Sequence, residues 1–351
     1  MVKASINKAK LNRTTLSNNE YLVDLDTYDH YISLDWSQTN MAVARMTRSS
    51  KEPAVVDVPS SLDDLKMYLK NLKGRKIVTI EETSTTHWLY VELKDYAERI
   101  LICDPYRNRL LSDGPKNDKI DAVKLCKLLR TGLLKEVYHS RHKAYDLRKL
   151  VSAYDDLVKA GVRLRNQRSA IYRSQGKTGK EVISEGAYGF ILMHIDEGIE
   201  EYEKKKEEFK KYIHRENKKE KLIRNQMMIP GIGEIGAIKI IATVVEGRRF
   251  RHAGKYLSYS GLVKHKKISG SRNYGNKNPR YSRRLKSVYK TAAMAAIGGN
   301  NPINEYYEHL LTEKGLPSDR ARNQIARYIA RISYGMLKNN ERYEPYRWRK
   351  I

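Results

Sequence analysis

The sequence predicts an α/β N-terminal domain, a helical coiled-coil middle and a mostly α-helical C-terminal domain. Three observations predict it. Short β-branched runs alternate with helix-spaced segments between residues 31 and 140. Residues 143–225 are almost unbroken helix-forming sequence. From residue 226 onward, helix-spaced apolar residues return around glycine-bearing turns. A chain of 351 residues has room for two or three cores of this kind.

The elements follow in order. Residues 1–30 are basic and lack an apolar segment, so they read as an N-terminal arm and not as a secretory signal. Residues 31–35 and 41–46 read as strands joined by a turn at 37–40, and residues 54–58 as a weaker third strand. Residues 60–72 have helical spacing. The β-branched run 76–81 reads as a buried strand, 88–97 as a helix and 100–103 as a strand stopped by Asp104-Pro105. Residues 118–134 form a helix with one apolar face. The order β-β-β-α-β-α-β-α matches a ribonuclease-H-like arrangement, a mixed sheet flanked by helices. Helical periodicity fills 145–173. The charge run 197–221 carries Tyr202, Phe209 and Ile213 near coiled-coil spacing, which suggests a dimerising hairpin.

Composition narrows the function. The net charge is +27, from 68 Lys and Arg against 41 Asp and Glu, which favours a polyanionic partner. No apolar run is long enough to span a membrane. Cys103 and Cys126 are the two cysteines, too few for a disulfide framework or a zinc cluster. They fit a reducing, cytoplasmic and nucleoid-associated setting in a prokaryote. Between residues 247 and 304 there are 14 Lys and Arg and no Asp or Glu, the pattern of a nucleic-acid surface.

Against this basic background four acids stand out: Asp35, Glu81, Asp118 and Asp121. The first two end strands, and the last two are three apart at a helix start, hence on one face. Singly, each reads as a turn or helix cap. Together they form an oxygen-only set suited to one or two Mg²⁺ ions and to phosphodiester chemistry. Glu82 competes with Glu81, and Asp104 and Asp113 are further candidates. Two basic motifs complete the set. In Ile229-Pro230-Gly231-Ile232-Gly233, followed by a helix over 235–244, Gly231 and Gly233 let the backbone approach phosphate in the manner of a helix–hairpin–helix turn. Around Ser269, the residues Lys264, Lys266, Lys267, Arg272, Arg280, Arg283 and Arg284 make a cationic setting for nucleic acid. Ser269 is either a loop serine or an activated nucleophile, with Tyr274 and Tyr281 as rivals.

In this order the motifs resemble the DEDD-type insertion-sequence transposases of insertion sequence family one-hundred-and-ten. These are bridge-RNA-guided serine recombinases related to the pilin-gene DNA invertases. The resemblance spans about residues 30–340. It rests on Asp35, on Ile80-Glu81 with Thr83, and on Asn117-Asp118-x-x-Asp121-Ala122. It rests also on Ile229–Gly233, on Gly261-Leu262 with Ser269-Gly270, and on Ala330, Arg331, Tyr334, Gly335 and Leu337. It implies a RuvC-like catalytic domain over 31–142 whose four acids bind Mg²⁺. It further implies a coiled coil over 143–225 that assembles dimers or tetramers, and a C-terminal transposase domain over 226–351 that supplies Ser269. The serine would attack a DNA phosphate to give a phosphoserine, with a partner subunit's acids completing the site. A structured RNA would pair with donor and target DNA. Departures are Gln38 where the family carries Lys, and Glu81-Glu82-Thr83-Ser84 where it carries Glu-x-Thr-Gly. The competing reading is a RuvC-like endonuclease that hydrolyses branched DNA with no covalent serine intermediate.

Overall fold

The computed structural model describes residues 27–106, 117–179, 181–270 and 272–350. Most of the N-terminal arm, and the candidate acid Asp113, lie outside the described residues. Two compact units meet in the chain between Arg141 and His142.

The first unit is built on a five-stranded sheet: β1 (His30–Trp36), β2 (Asn40–Thr47), β3 (Ala54–Pro59), β4 (Lys76–Glu81) and β5 (Arg99–Cys103). The strand order is β3-β2-β1-β4-β5. β1 pairs antiparallel with β2 and parallel with β4, β2 pairs antiparallel with β3, and β4 pairs parallel with β5. This is the mixed sheet expected from the element order. The weak third strand is a regular, mostly exposed edge strand.

Strand alternation divides the core in two. Tyr31, Ala42, Ala44, Ile77, Leu101 and Cys103 pack against α3 (Asp118–Arg130) through Ala122, Leu125, Cys126 and Leu129. On the opposite face Ile32, Leu34, Val43, Val78, Ile80 and Ile102 pack with α1 (Leu62–Asn71) and α2 (Thr86–Leu93). Asn117 caps α3 by accepting from the Lys119 amide at 2.9 Å. Two helices are shorter than their periodicity suggested. α2 starts two residues before the expected position, at Thr86, whose Oγ1 donates to the Glu81 carbonyl at 2.7 Å, but it stops at Leu93, four residues short of 97; α3 ends at Arg130, before Gly132 turns the chain at positive φ.

One buried bond fixes α3 on the sheet: Ser33 Oγ donates to the Ala122 carbonyl at 2.5 Å. Cys126 Sγ adds a weak contact to the Tyr31 carbonyl at 3.3 Å. Ser33→Ala is expected to lower stability by about 1 kcal/mol in denaturant unfolding.

The second unit is helical. α4 (Leu147–Ser174) and α5 (Gly186–Lys219) form an antiparallel hairpin, held by Arg168 to Asp196 at 2.6 Å and by an Arg165–Glu203 ion pair. At Gly161 a Cβ would sit 2.5 Å from the Tyr202 ring, so the glycine lets the two helices close together. The suspected dimer seam is therefore occupied within the chain. Tyr202 and Ile213 are buried, and Phe209 lies 6.1 Å from Tyr154. The spacing was real, but it serves packing within the hairpin. Following it are α6 (Lys221–Met227), α7 (Glu234–Val244), α8 (Ala253–Tyr259), α9 (Arg283–Ile297), α10 (Pro302–Thr312) and α11 (Ser318–Asn339). Residues 143–225 and 226–351 share this unit, with α4 and α5 both packed on α7. A two-stranded hairpin, β6 (His265–Ser269) and β7 (Arg272–Lys277), was not foreseen as strand. Apart from Ile268 and Tyr274, its residues are charged, polar or glycine, not β-branched. Among the described residues no helix is long and apolar enough to cross a membrane.

Candidate active site and nucleic-acid surface

Asp35 lies two residues beyond Ser33 on β1, and Glu81 two beyond Thr79 on β4, so alternation directs both to the α3 side of the sheet. The Ser33–Ala122 bond holds the first turn of α3 against that same place, which carries Asp118 and Asp121 to it. The four acids feel one another's charge. Burial, followed by repulsion from Asp118, Glu81 and Asp121, pushes the Asp35 carboxyl up to about 6. Glu81 is also raised, by burial first and by Asp121 second. Among the described residues, no cation or hydrogen-bond donor answers any of the four side chains. In a chain of net charge +27 that is an unusual exemption.

The acids are neighbours and not a closed cage. Among the described residues, no group of three or more His, Cys, Asp or Glu is gathered at ligand spacing. This still suits a hard divalent ion. Mg²⁺ takes only one or two carboxylates directly and fills the rest of its octahedron with water and phosphate oxygens. The donor set is all oxygen, unpartnered and partly open: Asp118 is exposed while Asp35, Glu81 and Asp121 are half-buried.

Two rival acids sit apart from this arrangement. Glu82 is exposed and lies 3.8 Å from His139 Nε2. Asp104 is buried and uses Oδ1 to accept from the Tyr106 amide at 3.0 Å, which closes a turn. The unusual Thr83-Ser84 turn is held by Thr86, whose Oγ1 accepts from the Thr83 amide at 2.8 Å.

The raised Asp35 carboxyl has a stability consequence. Its folded-state pKa exceeds the ordinary value of 3.8, so its ionised form opposes folding. The cost is absent below pH about 4, grows as pH rises toward 6 and is complete above that. In metal-free buffer at pH 8, Asp35→Asn is expected to stabilise the protein by about 1–2 kcal/mol after allowance for solvent screening. The gain should vanish below pH about 4 in paired thermal melts.

In the second unit, the Gly231 turn has a packing role. At φ +86°, an added Cβ would lie 2.1 Å from the Ala292 carbonyl, so the turn is pressed on α9. Gly233, the N-cap of α7, has ordinary φ −85° and open space around it. Gly231→Ala is expected to cost about 2–4 kcal/mol and Gly233→Ala within about 0.5 kcal/mol in thermal unfolding. Of the two glycines, Gly233 is the one with open space beside its backbone.

Ser269 ends β6 and pairs with Arg272 across the tip of the hairpin, where Gly270 takes φ +58°. Every residue of both strands is exposed. Lys264, Lys266, Lys267 and Arg272 therefore offer their charge to solvent around the serine. Of the rival tyrosines, Tyr274 is exposed beside Arg272. Tyr281 packs on Gly261 under Lys286, whose Nζ is 4.6 Å from the ring centre. Arg280 and Arg283 are exposed. Arg284 is engaged within the protein, its Nε 2.8 Å from Asp155 Oδ2.

Some features near these sites were missed in the sequence. Trp36 and Trp88 meet edge to face at 5.7 Å directly after Asp35, with Trp88 largely exposed. Lys239 Nζ lies 2.6 Å from Asp155 Oδ1. A lone Lys inside the apolar run of α7 was the signal available for this pair.

Comparison with known proteins agrees with this layout. A model of IS110-type DEDD transposases matches residues 32–173, and a model described as Transposase IS116/IS110/IS902 family matches residues 224–308. The chain is 28% identical over 118 residues to the IS116 insertion element's uncharacterized 44.8 kDa protein of Streptomyces clavuligerus, covering 33% of this chain and 29% of that one. It is 29% identical over 117 residues to the IS110 insertion element's uncharacterized 43.6 kDa protein of Streptomyces coelicolor, with the same shares. The similarity thus spans less than a third of each relative. The first family match contains all four acids, and the second contains the Gly231 turn and the Ser269 hairpin. Two models of IS110-type transposases thus match this chain in order, one over the region of the four acids and one over the region of the Gly231 turn and the Ser269 hairpin, so both regions are similar to that family.

Proposed function

We propose that this protein is a transposase that cuts and rejoins DNA to move an insertion sequence, using Asp35, Glu81, Asp118 and Asp121 to hold divalent metal and Ser269 as nucleophile. The observation that carries the reading is that four neighbouring acids in a strongly basic chain have no cationic partner among the described residues. Bound there, Mg²⁺ would polarise the scissile phosphate and lower the cost of developing charge. The first unit's role is to hold the acids half-buried on one face of the sheet. That of the hairpin is to present Ser269 among cations that attract and neutralise phosphate.

The chemistry balances without a cofactor beyond metal. Ser269 Oγ bonds to phosphorus, the bond from phosphorus to one deoxyribose oxygen breaks, and that oxygen leaves as a hydroxyl with the serine proton. A second strand's hydroxyl then attacks the phosphoserine, restoring the serine and a phosphodiester. The partners are donor and target DNA together with a structured guide RNA. A broad exposed cationic surface with few base-reading motifs supports leaving sequence choice to base pairing. Assembly into dimers or tetramers is supported by exposed Tyr188, Phe190, Ile191 and Met193 at the start of α5.

The test is mass spectrometry of protein trapped on nicked donor DNA with Mg²⁺ and RNA from the element's flank. A nucleotide adduct on Ser269 supports the reading. Cleavage with no adduct assigns the protein to hydrolysis, and an adduct on Tyr274 or Tyr281 replaces the nucleophile.

A further inference from the structure

A cavity of about 440 Å³ opens in the second unit between α4, α7 and α9, beside the Gly231–Gly233 turn. Its polar wall comes from three helices. α4 contributes Asp155 and Lys159, four apart and so on one face. α7 contributes Lys239, and α9 contributes Arg284, Ser287 and Thr291, again at helical spacing. Three cations therefore face one carboxylate.

The carboxylate holds the cations in place. Asp155 Oδ1 is 2.6 Å from Lys239 Nζ and Oδ2 is 2.8 Å from Arg284 Nε, and Arg284 also donates to Ser152 Oγ at 3.2 Å. This fixes two long side chains that would otherwise lose freedom on meeting a ligand, and the wall keeps a surplus of positive charge. Lys159, also on the wall, touches Asp156 at 2.8 Å in a largely exposed pair, a weak competitor. Neither hydroxyl, Ser287 or Thr291, has a protein partner among the described residues. The N-terminus of α7 lacks a side-chain cap, because Gly233 stands there with open space around it. Cations, hydroxyls and uncapped amides on one wall of a hollow otherwise lined by Val158, Ile232, Ile235 and Val288 are the donors a tetrahedral oxyanion takes.

We infer that this cavity binds one phosphate group of a nucleic-acid backbone, gripped by Lys159, Lys239 and Arg284. The source of the phosphate rests on the nucleic-acid reading above, whereas the cavity's preference for phosphate does not. The site is separate from the acids and from Ser269 by residue and by chemistry, and its role is to anchor the strand.

The experiment is duplex-DNA binding by the full chain across a salt series in EDTA, so that no metal-dependent step intervenes. Each phosphate contact contributes about 0.9 to the slope of log K against log salt. Lys159→Glu and Lys239→Gln should each lower that slope by about one. Lys159→Glu retains the Asp155 trio and keeps the test valid if Lys239→Gln fails to fold. Lys70→Glu, an exposed reversal on α1, controls for net charge. An unchanged slope in Lys159→Glu, or an equal fall in Lys70→Glu, overturns the inference. So does inorganic phosphate raising the Tm in a Lys159-dependent way with the duplex slope unmoved, which would assign the cavity to free phosphate. Wild-type protein that binds no duplex at all would remove the nucleic-acid reading, and this inference with it.

Discussion

Asp121→Asn protein is expected to cut donor DNA at least about 10³-fold more slowly than wild type while remaining folded. The side chain is half-buried, raises the pKa of both Asp35 and Glu81, and has no cationic partner among the described residues. Asparagine keeps the shape and removes a negative ligand. Were Asp121 merely a first-turn residue favoured by the helix dipole, its loss would cost about 0.3–1 kcal/mol of stability and leave cleavage intact. Loss of a metal-binding charge predicts the reverse, a collapse of rate with stability unchanged or increased. Single-turnover cleavage and thermal melts on the same preparation separate the two.

Ser269→Ala is expected to abolish both the covalent adduct and strand rejoining, with no measurable change in Tm. The serine is exposed at a hairpin tip, so truncation removes little packing. A hydrolytic enzyme would tolerate the change, because water attacking at the acids needs no serine. A Ser269→Cys variant gives a second readout. A thiolate nucleophile would restore a trapped adduct of altered mass, whereas a serine that only bonds backbone would leave no adduct in either protein.

The mixed sheet was legible in the sequence because its strands are short, β-branched and separated by unmistakable breaks. Residues 76–81 and 100–103 are examples, buried on both faces as their composition demands. Asp35 and Glu81 were legible for the same reason, since the end of a strand fixes where a side chain stands. Helix limits were less so, because they depend on bonds such as Thr86 to the Glu81 carbonyl that join residues of different elements. The β6–β7 hairpin escaped because Lys, His, Gly and Asn have low strand propensity and both strands are exposed along their length, leaving no apolar face to read. Tyr202 and Ile213 illustrate a further limit. Periodicity identifies an apolar stripe but not whether its partner lies in another chain or in the same one. The Asp155–Lys239–Arg284 trio joins residues from three helices far apart in sequence, and no local pattern announces it.

Divalent-ion binding by the four acids underlies the predicted loss of cleavage. It is tested most directly by titrating Mn²⁺ into the protein and following the free-ion electron paramagnetic resonance signal, with wild type, Asp35→Asn and Asp121→Asn side by side. One or two ions bound by wild type, competed by Mg²⁺ and lost in both variants, is the predicted result. Binding that both variants retain, or none in wild type with or without DNA, would contradict it.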